Sequence, residues 1–336
     1  MARAAIVVID AWRDAPGISD SFLPGPLECV ELAGRSLLER WLERFAAVEV
    51  EATTILVSAA NQYRLPAMRA NHGVVTIEVV RDLDISLKAT IASYAHDGIQ
   101  HAFISWASDY VETDLLDLLC FHRESKQGVT PTYNGDGPLS LWAVDCEKAR
   151  QSSVGKLLDA RHTAKSRYFV REYVNRVTLP ERLRTLGADI LSRRCETAPA
   201  GMQVRPGVWL DAGAKVHRRT RIVAPAYIGC GSCIEADALI TRLSTVDRNC
   251  RVQSGTVIED SSILENTSVG ICLDVCHSVA SGNKLLNLKR GVVVEISDPR
   301  ILWCTGPASE NASASVPHGT HMWRVAGDEQ TAVGNN

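Results

Sequence analysis

The sequence predicts an α/β domain with a mostly parallel sheet, followed by a β-solenoid of hexapeptide repeats. Three observations carry this. From Ala4 to Glu124, short apolar runs alternate with segments of helical period, the pattern of strands joined by crossover helices. From Val204 to Leu264, every sixth residue is Ile, Leu or Val: Val204, Leu210, Val216, Ile222, Ile228, Ile234, Ile240, Val246, Val252, Ile258 and Leu264. From Ala214 onward, the residue two before each step is small: Ala214, Thr220, Ala226, Ser232, Ala238, Ser244, Cys250, Thr256 and Ser262. A period of six suits neither a helix nor an alternating strand. It suits a solenoid in which each hexad makes one short strand and one corner.

In the first domain, Ala4–Ile9 reads as a continuous apolar strand. Ser36–Val48 has helical spacing, with Leu37, Leu38, Trp41, Leu42 and Phe45 on one face. Thr53–Ser58, Val74–Val79 and Ala102–Trp106 read as further strands. Gln62–Ala70, Ser86–His96 (capped by Ser86) and Thr113–Glu124 (capped by Thr113) read as helices. Two short strands flank the hairpin-like turn Asn134-Gly135-Asp136-Gly137 within Gln127–Val144. Glu147–Arg161 and Leu179–Arg194 read as helices around a strand at Tyr168–Val174. A sheet of this kind binds ligands beyond the carboxyl ends of its strands, here after Ile9, Ser58, Val79 and Trp106.

In the repeats, the aliphatic residue points inward and the small residue fits a tight inner corner. Turn formers occupy the preceding register: Gly207, Gly213, Pro225, Gly231, Asp237, Asn249, Gly255 and Ser261. The pattern resembles the left-handed hexapeptide β-helix, which uses three hexads per coil. The frame slips by one after Leu264, so the regular stack is expected to end near there. Gly291–Ile296 reads as a closing strand. The expected organisation is 1–200 for the α/β domain, 201–300 for the repeats, and 301–336 for a tail too poor in apolar residues to fold.

Two stretches of the first domain carry a second resemblance. Pro26-Leu-Glu-Cys-Val-Glu-Leu-Ala-Gly-Arg-Ser-Leu-Leu-Glu39 is similar to a segment of the sugar-nucleotide pyrophosphorylases that reads Pro-Lys-Pro-x-x-Pro-x-x-Gly-x-Pro and then a hydrophobic residue. Phe103-Ile-Ser-Trp-Ala-Ser-Asp-Tyr-Val-Glu-Thr-Asp-Leu115, followed by Phe121-His122, looks like that family's Gly-Asp strand end and its helix. The resemblance implies a Rossmann-like nucleotidyltransferase domain ahead of the β-helix. It also implies transfer of a nucleotide to a sugar 1-phosphate, with magnesium as cofactor.

The chemistry of that reaction places negative charge on phosphoryl oxygens, which calls for backbone amides, cations and metal. The loop Ile9-Asp-Ala-Trp-Arg-Asp-Ala-Pro-Gly17 lacks the family's paired glycines and carries Asp10 and Asp14, while Arg13 matches the loop's arginine. The family's lysine falls on Leu27, and its glycine-rich nucleobase loop falls on Asp84–Ala89. Asp109 matches the metal aspartate, with Ser108 in place of the glycine. The second metal aspartate falls near Arg176, ahead of Leu179-Pro180-Glu181, and an arginine cannot ligate magnesium. The candidate nucleotide-binding residues are Asp10, Arg13 and Asp109, with Asp109 also the candidate magnesium ligand. The expected function is binding of a nucleotide or sugar nucleotide with weak or lost pyrophosphorylase activity. The alternatives are a catalytically silent scaffold or regulatory subunit of an active homologue, and a hexapeptide acyltransferase using His217 as base.

Charge is near balance at −3, which argues against a surface that wraps nucleic acid. No apolar run reaches membrane-spanning length, and the first strand meets Asp10 too soon for a secretory core, so a cytoplasmic protein is expected. The ten cysteines are irregularly spaced and read as reduced thiols. Cys230-x-x-Cys233, with Cys250, Cys272 and Cys276-His277, admits a zinc reading, but corner and loop positions account for them. Lys284–Arg290 reads as a solvated basic turn. Trp209, Tyr227, Thr245 and Ile263 precede or flank inward positions 18 apart, so they are expected to form an exposed stripe that drives homo-oligomerisation.

Overall fold

The structure is a computed structural model and describes residues 3–9, 22–23, 25–58, 74–106, 109–151 and 163–305. The first domain is built on a seven-stranded sheet. Its strands are β1 (Arg3–Ile9), β4 (Ala52–Ser58), β5 (Val74–Val80), β6 (His101–Trp106), β8 (Val129–Asn134), β9 (Gly137–Asp145) and β10 (Tyr168–Phe169). A two-residue hairpin supplies β2 (Glu31–Leu32) and β3 (Arg35–Ser36), and a separate ladder pairs β7 (Asp109–Val111) with β11 (Val174–Arg176). Across the sheet the order is β10-β8-β9-β6-β1-β4-β5. β6, β1, β4 and β5 run parallel, while β9 runs antiparallel to both neighbours.

Strand alternation sends Ala5, Val7 and Ile9 to one face and Ala4, Ile6 and Val8 to the other. Helices Leu37–Ala47 and Leu115–Ser125 cover the first face through Trp41, Phe45 and Leu118. Helices Leu83–His96 and Cys146–Arg150 cover the second through Leu87, Ile91 and Ala149. Ser36 caps its helix with a reciprocal box: Ser36 Oγ accepts from the Glu39 amide (3.1 Å), and Glu39 accepts from the Ser36 amide (2.7 Å). The other two caps differ from the expected Ser86 and Thr113. Asp82 accepts from the Ile85 amide (3.0 Å), and Asp114 accepts from the amides of Leu116 and Asp117. In both places an aspartate with equal capping power stands at the position where the helical backbone begins. The expected helix at Gln62–Ala70 lies outside the described residues. The expected helix Glu147–Arg161 is described only as Cys146–Arg150, and the expected strand Tyr168–Val174 is two short strands, β10 and β11.

From Val208 the chain visits three stacks of parallel strands in rotation. Trp209 pairs with Tyr227, Cys233 with Arg251, and Leu239 with Val257, each eighteen residues on. Leu210, Ile228, Ile234, Ile240, Val252 and Ile258 fill the space between the stacks. The left-handed backbone of Gly207, Gly213, Gly231, Asp237, Asn249 and Gly255 turns the corners, as the turn-former register requires. Small residues there do more than fit. Ser232 Oγ donates to the Asp247 carbonyl (2.5 Å) and accepts the Cys250 amide (2.9 Å), so it joins successive coils.

Three expectations change. Val204 is not inward: it lies in Met202–Arg205, which turns back antiparallel on Val208–Leu210. The slip occurs before Leu264. Val246 pairs with Ile263, seventeen residues on, and Ile263 is the inward residue while Leu264 faces the first domain. Because one residue is lost at a corner, the strands keep their register, and stacking continues to Ser278–Ser281. A third strand pair closes the end: Leu302–Cys304 lies antiparallel on Thr267–Val269, so the tail boundary at 301 is too early. Residues 306–336 lie outside the described residues. Lys284–Asn287 is a strand of the closing hairpin and buries Leu286, and only Lys289 and Arg290 are solvated.

The two halves share an apolar seam. Leu27, Leu32, Leu37, Leu183, Leu186 and Ile190 meet Tyr227, Leu264, Val279 and Leu286. Tyr227 is 0 % exposed, as is Thr245. The stripe expected on the outside is therefore not an exposed surface: Tyr227 and Trp209 pack in the seam with the first domain, Thr245 is buried and Ile263 lies inside the repeats. Polar contacts fix the seam. Asp247 Oδ1 accepts the Ala33 amide (2.8 Å), Arg248 pairs with Glu31, and Arg184 donates to Asp260 (2.6 Å). The turn Ala33–Gly34 has left-handed backbone at both residues, and a Cβ on Gly34 would lie 2.4 Å from the Ala200 Cβ and 2.4 Å from the Tyr227 hydroxyl.

Asp247 is fully buried, and its Oδ2 has no hydrogen-bond partner. Burial, then the charge of Glu31, raises its pKa well above the ordinary carboxylate value. The folded pKa lies above the unfolded one, so its stabilising contribution is complete below about pH 3.9 and is lost as pH rises through the folded value. Asp247→Asn should remove this loss and raise stability at alkaline pH by about 1–3 kcal/mol relative to the parent. Denaturant unfolding of both proteins between pH 5 and 9 checks it; parallel stability curves would contradict it. Inward packing is tested separately by Ile234→Asp, which buries a carboxylate among aliphatic side chains. The expected loss is on the order of 4 kcal/mol or more, and an unchanged melting curve would refute the assignment.

Candidate functional site

β1, β4, β5 and β6 point their carboxyl ends to one edge of the sheet. The stretches leaving that edge, residues 10–21, 59–73 and 107–108, lie outside the described residues, and with them Asp10 and Arg13. Asp109 opens β7 directly after β6 and is the described landmark of this edge.

Asp109 is 5 % exposed. Its Oδ2 accepts the Ser140 amide (3.0 Å), and its carbonyl accepts the Trp41 indole N–H (3.0 Å). The residue therefore ties β7 to β9 and to the Leu37–Ala47 helix. Across the β7–β11 ladder Arg176 is its direct partner, which places both side chains on the same face, about 5 Å apart at Cβ. Arg176 Nη2 donates to Asn134 Oδ1 (3.0 Å), which also accepts the Asp136 amide (3.0 Å) and so belongs to the β8–β9 turn. Arg176 Nε is buried and has no hydrogen-bond partner. The resulting floor consists of one carboxylate held by an amide, one guanidinium held by an amide oxygen, and the turn that positions them.

This floor does not fit magnesium among the described residues. A magnesium site needs carboxylates with oxygens free for octahedral coordination; here the carboxylate has one oxygen on an amide, and a fixed cation stands opposite. No group of three or more His, Cys, Asp or Glu among the described residues is placed to hold a metal ion. The cysteines follow suit: all ten are free, and Cys250 sits buried at an inner corner. The donor that remains at the floor is Arg176, a group suited to an anion such as phosphate.

Other motif residues have structural work. Leu27, at the family's lysine position, is in the seam. Asp84–Ala89 lies in the Leu83–His96 helix and forms no glycine-type loop. Glu112 accepts the Tyr110 hydroxyl (2.6 Å) and the amides of Glu196 and Thr197, so it fastens β7 to the junction between the halves. Burial, followed by the hydrogen bond to Glu112, raises the Tyr110 phenol above its usual range. His217 is exposed, and its Nδ1 accepts the Arg219 amide (3.2 Å), a local turn contact. His277, named in the sequence only within a zinc reading, instead faces Asp260 (2.6 Å) on the corner beside Arg184. Only a count that allows for the seventeen-residue coil brings those two together.

No family model matches the chain, and no curated protein matches it. No helix among the described residues is long and apolar enough to cross a membrane.

His122, next to Phe121 in the motif segment, is a core residue. Its Nδ1 shares a hydrogen bond with Thr130 Oγ1 (2.8 Å), and its ring meets His101 edge-on at 5.5 Å. Burial, then the neighbouring His101, pushes its pKa down to about 4. A depressed folded pKa gives stability that is present above about pH 6.5 and lost as pH falls toward the folded value. Between those limits the protein should lose on the order of 2–3 kcal/mol through this group, and His122→Gln should flatten the acid limb of the stability profile. Identical acid limbs would exclude the assignment.

Proposed function

We propose that the chain is a nucleotidyltransferase-like protein of sugar-nucleotide metabolism. It binds a nucleotide or sugar nucleotide at the carboxyl edge of the seven-stranded sheet, and its pyrophosphorylase activity is weak or lost. In this reading the second half is a left-handed parallel β-helix of hexapeptide repeats. The rotation through three stacks of parallel strands with inward aliphatics supports that. The observation that carries the functional reading is the facing pair Asp109 and Arg176 at the ligand-binding edge. A guanidinium there pairs with a phosphate, whereas pyrophosphate release calls for metal carboxylates at the same place. Retained binding with impaired chemistry is what that exchange favours, and it equally favours a regulatory subunit over an active transferase.

The test combines calorimetry with pyrophosphate release, using the four nucleoside triphosphates, a panel of sugar 1-phosphates and magnesium. Expected are binding of a triphosphate or nucleotide sugar, slow or absent turnover, and an approximately tenfold weaker affinity in Arg176→Ala, about 1.4 kcal/mol. Rapid turnover abolished in Asp109→Ala would overturn the impaired-chemistry reading. Failure of every nucleotide and nucleotide sugar to bind would overturn the whole.

A further inference from the structure

The outer flank of the sheet carries a cleft whose lining includes neither Asp109 nor Arg176. It has a volume of about 490 Å³ and is lined by Phe121, Ala164, Lys165, Ser166, Arg167 and Phe169. That volume lies within the range of small-molecule sites. β10 is the edge strand of the sheet, paired with β8 alone. The chain bends at Lys165 and Ser166 before entering β10, and exposure alternates along it. Lys165, Arg167 and Phe169 are exposed, while Val170 is buried in the core.

The exposed side is prearranged. Tyr133, on β8, anchors it: the Arg167 guanidinium lies 4.8 Å over its ring, and the Phe169 ring lies 6.0 Å away. Phe121 packs edge-on to Tyr168 at 5.5 Å. Phe169 nevertheless remains 62 % exposed, which is unusual for a phenyl group held in a strand. Among the described residues, the lining contains two cations and no acid. The nearby carboxylates are engaged: Asp117 accepts the Tyr168 hydroxyl (2.6 Å), and Glu172 accepts the Arg171 amide (3.0 Å). An exposed phenyl group beside two cations, one of them held over Tyr133, fits a ligand with a planar ring and a negative group.

We propose that this cleft binds a mononucleotide-like aromatic phosphate, its ring against Phe169 and its phosphate toward Lys165 and Arg167. This is a second site, independent of the nucleotide reading for the Asp109 edge. A run of single-stranded nucleic acid uses similar groups, but the lining here spans six residues and the chain's net charge is −3, so one nucleotide unit is the better match.

The test is titration of the full chain with AMP, adenosine and inorganic phosphate, followed by calorimetry, with Phe169→Ala, Lys165→Glu and Arg176→Ala as variants. Far-ultraviolet circular dichroism confirms that each variant folds. Expected is AMP binding at least tenfold tighter than adenosine or phosphate alone, weakened at least tenfold by Phe169→Ala and by Lys165→Glu, and unchanged at this site by Arg176→Ala. Absence of AMP binding would overturn the proposal. So would phosphate binding as tightly as AMP, or AMP binding lost only in Arg176→Ala, which would locate the nucleotide at the Asp109 edge instead. A thymidine oligonucleotide that outcompetes AMP a hundredfold would reassign the cleft to single strands.

Discussion

The structure depends on one buried contact: the tip of the Glu31–Ser36 hairpin pressed into the side of the repeat region. Gly34 approaches Tyr227 and Ala200 so closely that no side chain fits, and the adjacent amide of Ala33 satisfies one oxygen of Asp247. Around this point the seam is apolar, and ion pairs cross it between Arg248 and Glu31 and between Arg184 and Asp260. Arg40, itself buried, donates to the Leu32 carbonyl (2.8 Å) and to Thr197, so the hairpin is held from behind by the helix it precedes. Removing water from so many groups is favourable only while the surfaces match. The hairpin, the helix Pro180–Leu191 and the first stack of strands therefore behave as one packed unit.

That unit also supports the carboxyl edge of the sheet. β7 is short and sits away from the main sheet. It is placed by Glu112, which grips the junction at Glu196 and Thr197, and by Trp41, which donates to the Asp109 carbonyl. Asp109 and Arg176 thus face each other because the junction between the halves is rigid. A repeat region that only decorated the first domain would leave this ladder unsupported. The same economy appears in other residues of the first domain: Leu27 packs, Glu112 tethers, and His122 fills the core.

Much of this was legible in the sequence. The strands at Ala4, Thr53, Val74 and Ala102 and the helix at Ser36 announce themselves through apolar periodicity, because burial on one or both faces requires it. The repeats were legible to within a residue for the same reason. What sequence could not show was where a missing residue would be absorbed: a six-step count places Leu264 inside, whereas a corner takes up the loss and puts Ile263 there. Outward-facing Tyr227 was correctly placed on an outer face, but a count along the chain does not reveal what another part of the chain lays over it. Asp109 was found by motif, and its partner Arg176 by the same alignment of letters, yet their facing geometry belongs to a ladder of non-local strands. The cleft beside β10 had a signal, Lys165, Arg167 and Phe169 at alternate positions, which is meaningful only once that segment is known to lie at a sheet edge.

The corner that changes coil length has a further consequence. A corner hydroxyl such as Ser232 binds the next coil twice, at the Asp247 carbonyl and the Cys250 amide, so the wall is mortared course by course. A residue removed at a corner shifts the mortar and leaves the bricks aligned, as Val246 opposite Ile263 and Val252 opposite Val269 demonstrate. A residue removed within a strand would instead turn every following aliphatic outward. The repeat region is therefore open to insertion and deletion at three vertical lines and closed to it elsewhere. Along those lines a loop could be added without dismantling the wall.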